Sequence, residues 1–170
     1  ESGKGDYFGS LVVAAAYVDV ATESKLIRLG VRDSKMIDDS RILELENDIK
    51  ILCPHSVIEN APPRYNALYA ELKNLNNVLA QGHAQALENV LGKVSCQLAI
   101  VDQFGNEKYV IDALLEKGKR IKVEQRTKGE RDTAVAAASI LARARFVQSI
   151  ESLSKLVGRE LPKGASDPSI

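Results

Sequence analysis

An α/β fold, with a mixed central sheet flanked by helices, is the architecture this sequence predicts. Three observations carry it. Residues 11–20 (LVVAAAYVDV) form a near-continuous apolar run rich in valine and alanine, as in a strand covered on both faces. Leu75, Val78, Leu79, Ala86, Leu87, Val90 and Leu91 recur at helical spacing and give a long helix one buried stripe. The order of segments, strands first and then helix alternating with strand, fits helices packed on a sheet. No repeat, low-complexity tract or linker interrupts the chain, so residues 1–170 are expected to form one domain with a real core.

The elements follow in chain order. After the first strand, residues 25–29 are expected to be its partner strand. Ser40 is read as the polar cap of a helix that begins at Arg41, carries Glu44 and runs through Leu52. Residues 55–59 make a short strand, and Pro62 and Pro63 open a helix, where proline is tolerated. The long striped helix comes next. Residues 97–101 form a short apolar strand between Gly92 and Gly105, with Asp102 at its C-terminal end. A helix over 107–116, a strand over 120–124 and a helix from Thr133 to about Leu153 complete the order. Residues 158–170, with two prolines and two glycines, are expected to be irregular.

Composition narrows the function. Charged residues make up 27% of the chain but the formal net charge is zero. That argues against a broad, sequence-independent nucleic-acid coat, yet allows a basic groove beside an acidic site, whose charges cancel. Cys53 and Cys96 lie in apolar surroundings without metal-ligand spacing and read as reduced core thiols of a cytoplasmic protein. No apolar run is long enough for a membrane span and no signal peptide is visible. Glu1 abuts a Gly-Lys-Gly turn without a lead-in, which suggests a fragment of a longer chain.

Three distant stretches bring an acid beside small or basic residues: Glu1 to Gly9, Ala99 to Gly105, and Thr127 to Asp132 followed by an alanine-rich run. Together they suggest carboxylates gathered around divalent cations, with amides and lysines to hold phosphate. Taken singly, each has a plainer reading. Asp102, ending an apolar strand, points to the sheet edge where ligands of α/β proteins collect, but equally suits an Asx turn. Gly3-Lys4-Gly5 lets a ligand approach backbone N–H groups and is also an ordinary flexible turn. It is not a Walker loop. Asp132 suits the cap of the following helix, which leaves Glu130 as the candidate ligand. Ser34 and Lys35 suit phosphate contacts, or a solvated loop. His83 shares a helix with Asn74, Asn76 and Asn77, and neither it nor His55 has a partner at metal spacing.

Six motifs in order, ESGKGDYFGSLVVAA, GVRDSK, YNALY with LKNLNNVLAQGHAQAL, AIVDQFG, TKGERDTAVAAASILAR and LPKGAS, span nearly the whole chain. They resemble the catalytic domain of type 2 ribonuclease H, and specifically ribonuclease HIII, with Gly-Lys-Gly where ribonuclease HII has Gly-Arg-Gly. The resemblance implies an RNase H-like fold and cleavage of the RNA strand of RNA/DNA hybrids by a monomer, with two Mg²⁺ or Mn²⁺ ions held by four acids. Three of these match Glu1, Asp102 and Glu130. The fourth, an Asp immediately before the first Glu, falls before position 1. The family's N-terminal substrate-binding domain, similar to the TATA-binding protein, is not represented either, so the chain as it stands is expected to be impaired. Ser2, Gly3, Lys4 and Gly5 are the implied sensor of the RNA 2′-hydroxyl. Ser34, Lys35, Asn77, Lys128 and Ser139 are the further substrate contacts. The alternatives are ribonuclease HII-type incision at single ribonucleotides in DNA, or an inactive nucleic-acid-binding module.

Overall fold

The structure, a computed structural model, describes residues 1–164. Its first strand, β1 (Leu11–Ala16), pairs antiparallel with β2 (His55–Asn60), Val12 opposite Glu59 and Ala14 opposite Val57. Val12 also exchanges both backbone hydrogen bonds with Ser2, at 2.8 and 2.9 Å. β3 (Leu98–Asp102) and β4 (Lys122–Arg126) form a parallel pair in which Asp102 stands opposite Arg126. Both strand senses of a mixed sheet are therefore present, as two ladders, and among the described residues no ladder joins them.

Among the described residues, six α-helices surround these pairs: α1 (Val20–Leu29), α2 (Asp39–Leu52), α3 (Pro62–Leu72), α4 (Leu75–Leu91), α5 (Lys108–Ala113) and α6 (Thr133–Val157). The burial of β1 explains its unbroken apolar run. Val12 and Ala14 face a core of Leu26, Ile42, Leu45, Ile49, Ile140, Leu141 and Phe146, contributed by α1, α2 and α6. Leu11 and Val13 face Val78 and Leu79 of α4 on the opposite side. Each large side chain removed from water here contributes about 1.5–3 kcal/mol. A smaller cluster of Val101, Val110 and Leu114 seats α5 against β3. The fully buried Ala136 and Ala137 let α6 lie close to β1.

Several expectations change. Residues 25–29 are not a strand but the end of α1, and the strand at residue 11 stops at Ala16. Asp19 caps α1 by accepting the Thr22 N–H at 2.8 Å, Gly30 closes it in the left-handed region, and only Leu26 is buried, a helical rather than an alternating pattern. The cap of α2 is Asp38, which accepts the Arg41 N–H at 2.9 Å; Ser40 sits in the first turn and donates to Asp38 at 2.6 Å. α5 is shorter than expected, β4 lies two residues further on, and α6 runs on to Val157 before Gly158 turns left-handed. The irregular tail agrees as far as Gly164; its remainder, 165–170, lies outside the described residues.

Candidate active-site cavity

Each candidate carboxylate arrives by a different local device. Glu1 is fixed by its neighbour Ser2, whose N–H and C=O are bonded to Val12. Asp102 ends β3 and accepts the Gly129 N–H at 3.0 Å. A Cβ at residue 129 would stand only 3.1 Å from Asp102 Cα, so the glycine of the TKGE motif eases a close approach to the strand end. Glu130 lies in the 3-10 turn Gly129–Arg131, directly before α6. Asp132 accepts the Ala134 N–H at 3.0 Å and caps α6, as its position predicted.

These acids line one cavity of about 890 Å³. Of the expected site residues, Glu1, Ser2, Gly3, Lys4, Ser34, Lys35, Asp102, Glu130 and Ser139 share it, together with Cys96. Three do not. Gly5 stands outside its lining, Lys128 occupies the left-handed region at φ 56°, and Asn77 lines a second cavity of about 710 Å³ with Arg64, Lys108 and Tyr109. The polar set on α4 divides similarly: Asn74 caps the helix and bonds Tyr109, while Asn76 packs against Gly105.

The two glycines beside Lys4 differ. Both have positive φ, 87° at Gly3 and 83° at Gly5. A side chain at Gly3 would collide with the Ser10 carbonyl oxygen, whereas Gly5 has no neighbour within 4 Å of where one would stand. Gly3 therefore serves packing, and Gly5 stands open to an approaching ligand. The Ser2 amide, already bonded to Val12, is not available to a ligand.

His83 also lines this cavity and Phe104 stacks on it, although sequence spacing assigns neither a role there. His83 Nε2 lies 3.3 Å from Glu1 Oε2, and its ring stacks on Phe104 with centroids 5.1 Å apart and planes at 9°. Glu1 is 82 residues away, so no spacing rule reveals the pair; the aromatic two residues after Asp102 was the available signal. Burial pushes Glu1 up, but the His83 hydrogen bond and the charges of the terminal amino group, His83 and Lys4 outweigh it and hold the carboxyl below its usual range. Burial likewise pushes His83 below the usual histidine range, with the Glu1 hydrogen bond working against it. A neutral ring facing a carboxylate carries its proton on Nε2, which makes His83 the donor.

The acids suit Mg²⁺ or Mn²⁺ in kind, since both favour carboxylate oxygens. Their present spacing does not close a site: among the described residues no three His, Cys, Asp or Glu side chains stand close enough to hold a metal. Glu1 is engaged with His83 and Lys4, and Asp102 with Gly129.

Residues 1–169 match the family model described as ribonuclease HII. The chain is 47% identical over 166 residues to ribonuclease HIII of Protochlamydia amoebophila (strain UWE25), covering 98% of this chain and 55% of that protein. Its structure is similar to that of Bst-RNase HIII in complex with Mn²⁺, with a TM-score of 0.89 and 35% identity, covering 98% of this chain and 56% of the other. It also resembles Aquifex aeolicus RNase H3, with a TM-score of 0.82 and 33% identity over 98% of this chain and 62% of that one. The chain spans about half the length of the curated relatives it matches. The fold is RNase H-like, and the chain belongs to the ribonuclease HII family, with relatives that bear the name ribonuclease HIII.

Proposed function

We propose that the chain is the catalytic domain of a ribonuclease H that hydrolyses the RNA strand of RNA/DNA hybrids. Glu1, Asp102 and Glu130 are its metal-binding acids. The observation that carries the reading is the arrival of these carboxylates, from three separate elements, in one cavity with Lys4 and Lys35. Two divalent ions, Mg²⁺ or Mn²⁺, would supply Lewis-acid activation of the phosphodiester when bound; the similar Bst enzyme is described as a Mn²⁺ complex.

The chain's own residues do the rest. Lys4 and Lys35 attract and orient phosphates, and Ser34 and Ser139 offer hydroxyls to the same backbone. The open turn at Lys4-Gly5 presents N–H groups to the RNA 2′-hydroxyl. Lys128 and Asn77, outside the cavity, contact the duplex further from the cut. The domain acts as a monomer in the cytoplasm, where its two free thiols stay reduced.

The test is cleavage of an end-labelled RNA/DNA hybrid by the full-length protein with Mn²⁺, with Mg²⁺ and with chelator. Metal-dependent cutting of the RNA strand is expected, abolished by Asp102→Asn. An intact hybrid at saturating metal overturns the reading. Because the matching family model carries the ribonuclease HII name, a DNA duplex with one embedded ribonucleotide is run beside it, and preferential cutting there reassigns the substrate.

A further inference from the structure

We infer that His83 is a positioning residue for Glu1, locked by its stack on Phe104, and that this pair fixes how the Glu1 carboxylate enters the metal-binding set. The inference rests on the functional reading above.

The two oxygens of Glu1 are held by different residues. Lys4 Nζ stands 3.7 Å from Oε1, and His83 Nε2 stands 3.3 Å from Oε2. Both of these residues rest on one ring: His83 stacks on Phe104, and Lys4 Nζ lies 5.9 Å from its centroid. Phe104 follows Asp102 by two residues, so the ring that holds the partners of Glu1 also belongs to the loop leaving the second acid. Phe104 also packs against the cluster of Leu11, Val13, Val78 and Leu79, which seats the loop on α4, the helix that carries His83.

An unclamped glutamate has rotamer freedom to lose when it binds a cation. Hydrogen-bonded partners behind a ligand remove part of that loss beforehand, and their removal characteristically weakens metal binding. Ordinary satisfaction of a buried histidine would also produce the His83–Glu1 contact. The two roles differ in what a variant does to metal affinity.

The experiment compares His83→Ala, His83→Gln and Phe104→Leu with wild type in the full-length protein. Mn²⁺ affinity is read from the electron paramagnetic resonance of free Mn²⁺, and kcat and KM from hybrid cleavage. His83→Ala is expected to weaken Mn²⁺ binding roughly 10–100-fold and to lower kcat with KM for the hybrid unchanged. His83→Gln, which retains an N–H donor, is expected to recover most of both, and Phe104→Leu to fall between. Wild-type Mn²⁺ affinity in His83→Ala, or equal loss in the alanine and glutamine variants, overturns the inference. If circular dichroism shows His83→Ala unfolded, the glutamine and leucine variants decide, and wild-type affinity in Phe104→Leu overturns it. A wild-type protein that binds no Mn²⁺ overturns the functional reading, and the inference falls with it.

Discussion

Gly3 and Gly5 look interchangeable in the sequence and separate in the structure. Gly3→Ala places a methyl on the Ser10 carbonyl, so we expect it to destabilise the fold, with a fall in the thermal midpoint. Gly5→Ala meets only the backbone penalty of positive φ, roughly 1 kcal/mol, and is expected to fold, bind Mn²⁺ as wild type does and lose hybrid turnover. Full turnover in Gly5→Ala would mean that RNA is recognised elsewhere. The two acids before α6 separate in the same way. Asp132→Ala removes a cap and should cost about 1 kcal/mol of stability while activity persists; Glu130→Gln should abolish turnover without that cost. Urea unfolding and hybrid cleavage, measured on both variants, check the assignment. At this scale the sequence was informative about the acids, because an acid after an apolar strand or before a helix has a defined direction. His83 was opaque, since its partner lies at the other end of an 82-residue separation.

At the level of elements, α2 and α6 are joined by more than apolar packing. Asp39, in the first turn of α2, accepts from Arg143 of α6 at 2.9 and 3.2 Å and from Lys163 at 2.5 Å. Burial pushes its carboxyl up, but these bonds outweigh the effect and hold it below the usual range. A depressed folded-state value means stabilisation that is complete above the unfolded value, about 3.9, and is lost as pH falls through the folded one. Asp39→Asn is therefore expected to cost about 1–2 kcal/mol near pH 7 and progressively less below about pH 4. Parallel thermal melts of wild type and variant at pH 7, 4 and 3 read the difference; a constant offset would show that the cluster adds nothing through charge. Elements were legible where periodicity was long, as in α4, or where proline marked a start, as in α3. Residues 25–29 misled because five residues are too few to separate an alternating pattern from a helical one, and the deciding cap, Asp19, falls in the run 11–20 that reads as a strand.

For the molecule as a whole, zero net charge conceals a local division. Lys4, Lys35 and Arg143 line the same cavity as Glu1, Asp102, Glu130 and Asp132. If the lysines meet phosphate, Lys4→Ala and Lys35→Ala should each reduce the salt slope of hybrid binding by about 1, as read by fluorescence anisotropy across a salt series. Unchanged slopes would mark them as merely solvated. The sequence showed the composition but not this gathering, since charges from several distant segments share a wall only after folding.

The two thiols offer an optical handle on that cavity. Cys53 is buried and its thiol is pushed up to about 11, first by burial and then by the charge of Asp19, so it resists alkylation near neutral pH. Cys96 is partly exposed and lines the candidate site. An environment-sensitive dye should therefore label residues 1–170 once, at Cys96, without mutagenesis. Its emission should then shift as hybrid is titrated in the presence of chelator, giving a stopped-flow signal for substrate arrival that is separate from cutting.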